Sequence, residues 1–494
     1  MPPIRAAFSS RPATGLDWID RTICGYLILP VFLFCLWFIP LAAAILLALT
    51  CLATWHALRG PLLGSTGPGN RMAISIFALA LGWTAIAGVG HFFYANSDWL
   101  IRDAVLHDLS ISGWPPTYQI ADGSHLILRA PVGYFLPSAV MGYLFGASAS
   151  NIAIYLWTAL GWGLFLVAAC RLFNTPRERI FCLLILTFFG GMDLLGHAWA
   201  YREVPAFGQH IEWWMPSIQY SANTTLLFWV PNHALPAWLG IVLILRHWQQ
   251  PSLARITPLL ATAVPLWSPL AAIGLFPFFL FGLAWRRDRK ILFSPWSCFA
   301  FVPIALLTMK YLGMDAAEVP HGWMTEMWGT WDLFAYRYVL FCLLEFGFLA
   351  LILARITHFN TPMRVAVATL CLLPFYYLGI GNDLAMRASV PALCVLALAT
   401  IKPLAQQQGR TLWHGLLVGT LLVGGLSAAQ EPERAFIEPA WKPLGKTIPA
   451  SVRREHPEAG SLFPAHYFAH EDSTILMALM RQPKALDVSK EKPY

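Results

Sequence analysis

Apolar runs recur along the whole chain, separated by short polar or basic linkers, and most are 17 residues or longer. Runs of that length predict membrane-spanning helices, because only a helix satisfies its own backbone hydrogen bonds in lipid and about 20 residues are needed to cross. The pattern predicts thirteen spans, near 24–38, 41–56, 72–94, 150–170, 180–197, 222–245, 256–267, 268–285, 292–312, 332–354, 363–381, 385–401 and 411–428. Pro30 and Pro40 fall in the first pair, and Pro265, Pro269 and Pro277 in the pair around LWSPLAAIGLFPFF, so both pairs are expected to be kinked or half-length hairpins. The expected fold class is an all-α polytopic membrane protein with about 11–13 transmembrane helices.

Lys and Arg order this threading. Arg5, Arg11, Arg21, Arg171, Arg177, Arg179, Arg246, the cluster from Arg286 to Lys290, Arg355, Lys402 and Arg410 all fall on one side. The opposite loops, the tail excluded, hold only Arg102, Arg129, Arg202 and Arg387. Positive loops stay cytoplasmic, so the amino terminus is expected inside and the sparsely basic loops outside. The run PVGYFLPSAVMGYLFG, 131–146, would invert this order if it crossed. It is therefore expected to be re-entrant or interfacial, leaving 95–149 as a large first external loop. The first run, from Cys24, is too long for a signal h-region and is expected to be retained. The division is a transmembrane unit, 1–428, and a polar external tail, 429–494, with a short helix expected in DSTILMALM.

Composition agrees: 12% of residues are charged, 57% are hydrophobic, and the mean hydropathy is +0.57. This excludes an ordinary soluble enzyme of 55.0 kDa. All nine cysteines lie inside or at the ends of apolar runs, with no CxxC, which points to packing and to neither a disulfide framework nor a zinc site. There is no internal repeat and no glycine-rich phosphate loop, and no nucleic-acid partner is expected.

Against this background YANSDWLIRDAVLHDLSISGWPP stands out, because it packs Asp98, Arg102, Asp103, His107 and Asp108 into eleven positions. As a helix it places Asp98 and Arg102 within about 60° of Val105 and Leu109, on the more apolar face, with Asp103 and His107 on the side expected to be solvated. Asp98 is thus either a helix-start residue pairing with Arg102 or a carboxylate held at a dry external cleft. Similar features recur at the same membrane level. Asp193 in FFGGMDLLGH is the one acid of its span, Asn232 and His233 lie between prolines in WVPNHALPAWL, and LGIGNDLAMRASVPAL carries Asp383 and Arg387 one turn apart. Arg387 either pairs with Asp383 or holds an anionic headgroup. With Arg129, these residues map to the external boundary from distant segments. A carboxylate there could take a proton from a sugar or lipid hydroxyl while arginine or histidine holds a departing phosphate.

An acidic residue early in a large first external loop resembles the arrangement of the GT-C superfamily of integral-membrane glycosyltransferases. The stretch around Asp98, GYFLPSAVMGYLFG and NDLAMRASVPAL together look like bacterial members of that architecture. The resemblance implies a polyprenyl-phosphate sugar donor, a glycan or lipid acceptor, inversion at the anomeric carbon, and Asp98 as the general base or acceptor-positioning carboxylate. Trp99 follows Asp98 where the family commonly has a second acid, so Asp103 is the alternative. His107, Arg102, Arg129, Asp193, Asn232, His233, Asp383 and Arg387 are the expected substrate-binding set. No cofactor or metal is expected, although the external acids leave room for a divalent ion. The implied location is the bacterial cytoplasmic membrane. A polysaccharide polymerase, ligase or acyltransferase would share the external site. A flippase or transporter would explain Glu345, deep in its span.

Overall fold

The computed structural model describes residues 15–40, 42–58, 68–119, 125–284, 295–379, 381–406, 411–455, 467–470, 479–481 and 484–488. The helix expected in DSTILMALM lies, apart from Leu479 and Met480, outside the described residues.

Each predicted span overlaps helix, although 180–197 and 222–245 are each broken into two helices and 363–381 ends in a short strand. The chain enters through α1 (Trp18–Trp37), α2 (Ala43–Leu58) and α3 (Asn70–Ile86), followed by the external-loop helix α4 (Trp99–Ile111), strands β1 (Thr117–Gln119) and β2 (His125–Leu128), and α5 (Leu136–Phe145). It continues through α6 (Ala147–Cys170), α7 (Pro176–Phe188), α8 (Asp193–Tyr201), α9 (Asn223–Trp229), α10 (Pro231–Arg246), α11 (Pro251–Trp267), α12 (Pro269–Ala284) and α13 (Pro295–Leu312). After strand β3 (His321–Trp323) come α14 (Met324–Trp328), α15 (Trp331–Cys342), a π turn at Leu343–Gly347, α16 (Phe348–Ile356), α17 (Thr361–Leu372) and strand β4 (Tyr376–Leu378). The last elements are α18 (Asp383–Ala388), α19 (Val390–Ala405), α20 (Leu412–Ile437), α21 (Ile448–Glu455), and strands β5 (Phe468–His470) and β6 (Leu486–Asp487).

Among the described residues six helical segments are long and apolar enough to cross a membrane: 18–37, 147–170, 176–201, 331–356, 383–405 and 412–437. Further apolar helices are shorter, so the chain is a mostly helical, membrane-embedded protein. α5 has ten residues, about 15 Å, too short to cross. Its exposed end is apolar, carrying Tyr143, Leu144 and Phe145. α20 runs on to Ile437, past the boundary expected at 428.

A buried ionic cluster pins one end of the bundle. Asp17 pairs with Arg171 and, at 2.7 Å, with Arg246; Asp20 binds Arg246 at 2.7 Å and faces His247 at 3.1 Å. The start of α1 and the ends of α6 and α10 therefore share one face. α7 begins on its own capping box, Thr175 and Glu178 exchanging bonds with each other's backbone, worth about 1 kcal/mol. Removing one charge from such a cluster would strand the others, which costs about 3–5 kcal/mol.

The opposite end carries small sheets that an all-α expectation omits. β2 pairs antiparallel with β1 and with β5, and β1 pairs parallel with β6, so two strands from the tail flank two from the first loop. The described strands of the tail thereby pair with those of the loop. α21 packs on α4, and Trp441 donates to the Ala95 carbonyl at 2.7 Å.

Candidate functional site

α4 is held at its start by two donors on one acceptor: Asn96 Nδ2 and Trp99 Nε1 both reach the Phe228 carbonyl, at 2.8 and 3.0 Å. Asp98 occupies the N-cap position but makes no cap bond. Its carboxylate instead takes Arg102 at 3.0 Å. The Asp98 side chain is 34% exposed and that of Arg102 only 9%, so the acid is half-buried and the base is the drier partner.

The face expected to be solvated is buried as well, because α5 and α21 cover it. Asp103 sits there with His91 Nε2 at 2.8 Å. Burial raises the Asp103 carboxyl above its ordinary range, with His91 and Arg102 opposing. Asp108 is fully buried and accepts from Tyr118 Oη at 2.8 Å and from the Ile448 N–H at 2.9 Å. It is a bracket between loop and tail. His107 is half-buried on the side of α4 roughly 180° from Asp98.

A second acid–base pair of the same spacing stands at the start of α18. Asn382, in the left-handed region at φ 53°, caps the helix by accepting from Ala385 N–H at 3.3 Å. Asp383 then meets Arg387 at 2.9 Å, both side chains partly open. The two pairs lie within electrostatic reach of shared neighbours: the charges of Arg102 and Arg387 both act on His233, and those of Asp98, Arg102, Asp383 and Arg387 all act on Tyr467. His233 Nδ1 is held by Ser268 Oγ at 2.7 Å, which orients the ring at the break between α11 and α12. Beside it, Asn232 Oδ1 is buried without a hydrogen-bond partner among the described residues, as are Arg102 Nε and Arg387 Nε. Each guanidinium therefore keeps donors beyond those its aspartate uses.

Tyr467 is a residue that sequence reasoning missed. A single tyrosine in a polar tail carries no signal, and its position follows from β5 pairing with β2 and from its carbonyl accepting the Arg129 N–H at 2.8 Å. Burial pushes its hydroxyl up to about 12, with the two arginines pulling down and the two aspartates up. His91 was missed for a similar reason, since its partner Asp103 was expected in water.

Two expected site residues lie elsewhere. Arg129 donates to the Leu312 carbonyl at 3.3 Å and faces Asp315 and Glu318. Those acids and His470 bring their ligand atoms within 4.8 Å of one another, the one such grouping among the described residues, and it includes none of the Asp98 set. Asp193 joins Glu345 and Glu212 in a different buried cluster.

The arrangement can do two things at once: present a carboxylate to a hydroxyl and hold an anion between two guanidinia, a histidine and a tyrosine. The chain matches no family model, no curated protein and no solved structure.

Proposed function

We propose that the chain is a membrane glycosyltransferase of GT-C type. It moves a sugar from a polyprenyl-phosphate carrier to a glycan or lipid acceptor at the outer face of a bacterial cytoplasmic membrane, with its amino terminus inside and its tail outside. The observation that carries this reading is that two acid–base pairs of the same spacing, Asp98–Arg102 and Asp383–Arg387, both reach Tyr467 with their charges while both arginines act on His233. In the proposed reaction the acceptor hydroxyl attacks the anomeric carbon with inversion, and Asp98 takes its proton. The carbon–oxygen bond to the carrier breaks, and its electron pair leaves on the phosphate, which Arg387 and Arg102 hold. His233, oriented by Ser268, and Tyr467 complete the phosphate side. The step needs no metal in this scheme.

Binding tests the reading directly. Purified protein in nanodiscs should bind polyprenyl phosphate, with affinity lowered by about tenfold or more in each of Arg102→Ala and Arg387→Ala. Unaltered binding in both would remove the phosphate from this site.

Transport is a second reading, favoured by Glu345 and Asp193 within membrane-length helices. Substrate-dependent movement of a lipid-linked sugar across proteoliposomes, without transfer chemistry, would favour it.

A further inference from the structure

The chain has a second concentration of ionisable groups, away from the site just described. α7 ends at Phe188 and the backbone opens at Gly190 and Gly191 before α8 begins with Asp193. Opposite this break, the long helix 331–356 loosens into the π turn centred on Glu345. The two irregularities are in register: Met192 N–H donates to the Leu344 carbonyl at 3.1 Å, and a Cβ added to Gly191 would lie 2.3 Å from Glu345 Oε2. Glycine is thus required for the carboxyl group to lie against this backbone. Two helices of membrane-spanning length are each interrupted where they bring an acid to the other.

The hydrogen-bond inventory of the pair is incomplete. Trp214 Nε1 donates to Glu345 Oε1 at 2.8 Å. Glu345 Oε2 and both oxygens of Asp193 are buried with no donor in bonding geometry among the described residues. Nearby donors are engaged elsewhere: Ser427 Oγ accepts from Leu194 N–H at 3.3 Å and points at the Val423 carbonyl, and Trp214 is spent on Glu345. Among the described residues no ion pair joins a cation to either acid. The titratable groups around them are Glu212 from the loop after α8, Tyr220, Cys342 and, one turn along α8 from Asp193, the buried His197, whose Nε2 faces Glu203 at 3.7 Å. The basic groups farther out, His210 and Arg434, are both paired with Glu431. Two ionised carboxylates in contact, without donors or a counter-charge in apolar surroundings, would repel each other at a cost the fold could not carry. A single proton resolves both deficits, because a protonated acid becomes a donor to its neighbour.

We propose that Asp193 and Glu345 form a buried proton-binding site that holds one proton between them and so ties α8 to the π turn. The proton is the ligand. Its loss would leave two like charges across the junction and separate the two interrupted helices at their weakest points. The proposal stands independently of the transferase reading.

Infrared spectra of the full-length protein in sodium-free lipid nanodiscs test it. At neutral pH a carboxylic-acid carbonyl band should be present. Read as a difference from wild type, it should shift in Asp193→Asn and in Glu345→Gln, where one acid remains, and the pair's contribution should be lost in the double variant, leaving any signal from other buried acids such as Asp103. Added sodium should leave it unchanged. Fluorescence supplies a measurement free of substitutions at the pair: alkaline titration of the wild type should show a one-proton transition that is missing in Trp214→Phe. A wild-type protein without the band, a band untouched by the double substitution, a band removed by sodium, or a fluorescence transition that persists in Trp214→Phe would each overturn the proposal.

Discussion

Asp98 and Arg102 stand one turn apart at the start of α4, joined at 3.0 Å, the acid half-buried and the arginine more deeply buried. In an ordinary surface pair both ends are exposed and the interaction is worth about 0–1 kcal/mol. Here the buried guanidinium fixes the position of the carboxylate. Asp383 and Arg387 repeat the spacing from a segment late in the chain.

Arg387→Ala should raise the concentration of lipid donor needed for half-maximal transfer by about 10- to 100-fold while accumulation stays near normal. Arg387→Lys should rescue only in part, because a point charge replaces a planar fork. Failure of Arg387→Ala to accumulate would instead assign it to the structural pair with Asp383.

Asp103 sets a pH dependence. Burial raises its folded-state pKa, with His91, Arg102 and Tyr134 the ionisable groups facing it. A raised folded value means the folded chain holds this proton more tightly than the unfolded chain. Its contribution is full below the unfolded value of about 4 and is lost as pH rises through the folded value. Thermal unfolding followed from mildly acidic to neutral pH should show this decline, and Asp103→Asn should flatten it. An equal slope in the variant would exclude Asp103 as its source.

Asp108→Ala would remove the acceptor that the Ile448 N–H and the Tyr118 hydroxyl share. The expected cost is about 1–3 kcal/mol, read as lowered thermal stability and faster proteolysis of the tail after Ile437. Wild-type stability would mean that the bracket contributes nothing.

Orientation is tested by single cysteines in a cysteine-free background. Cysteine at Glu318, on an exposed loop, should react with an impermeant thiol reagent in intact cells, and cysteine at exposed Arg355 should not. The reverse pattern would invert the protein.

Hydrophobic runs made the helices legible, since a stretch such as 147–170 can do little else in lipid. Interruptions were less legible. The stretch 180–197 was expected to be one span, and the break at Gly190 and Gly191 was not read; nor does anything in LLEFG announce a π turn. β5 and β6 were invisible because strands of two or three residues have no periodicity, and their partners lie hundreds of positions away. Of the site, the acid–base spacings at Asp98 and Asp383 could be read directly. Helical phase alone misplaced Asp103, because it assumes one wet face and α4 is covered nearly all round. Tyr467 and His91 depend on tertiary contacts that no local pattern encodes.

The central claim is that Asp98 is the proton acceptor. The most direct measurement is sugar transfer from a polyprenyl-phosphate donor by purified Asp98→Asn and Asp103→Asn, with thermal stability followed alongside. Asp98→Asn, nearly isosteric and unable to take the proton, should lower turnover by roughly 10²-fold or more at unchanged stability, and Asp103→Asn should cost much less. Full activity in Asp98→Asn, or equal inactivation by Asp103→Asn, would contradict the account.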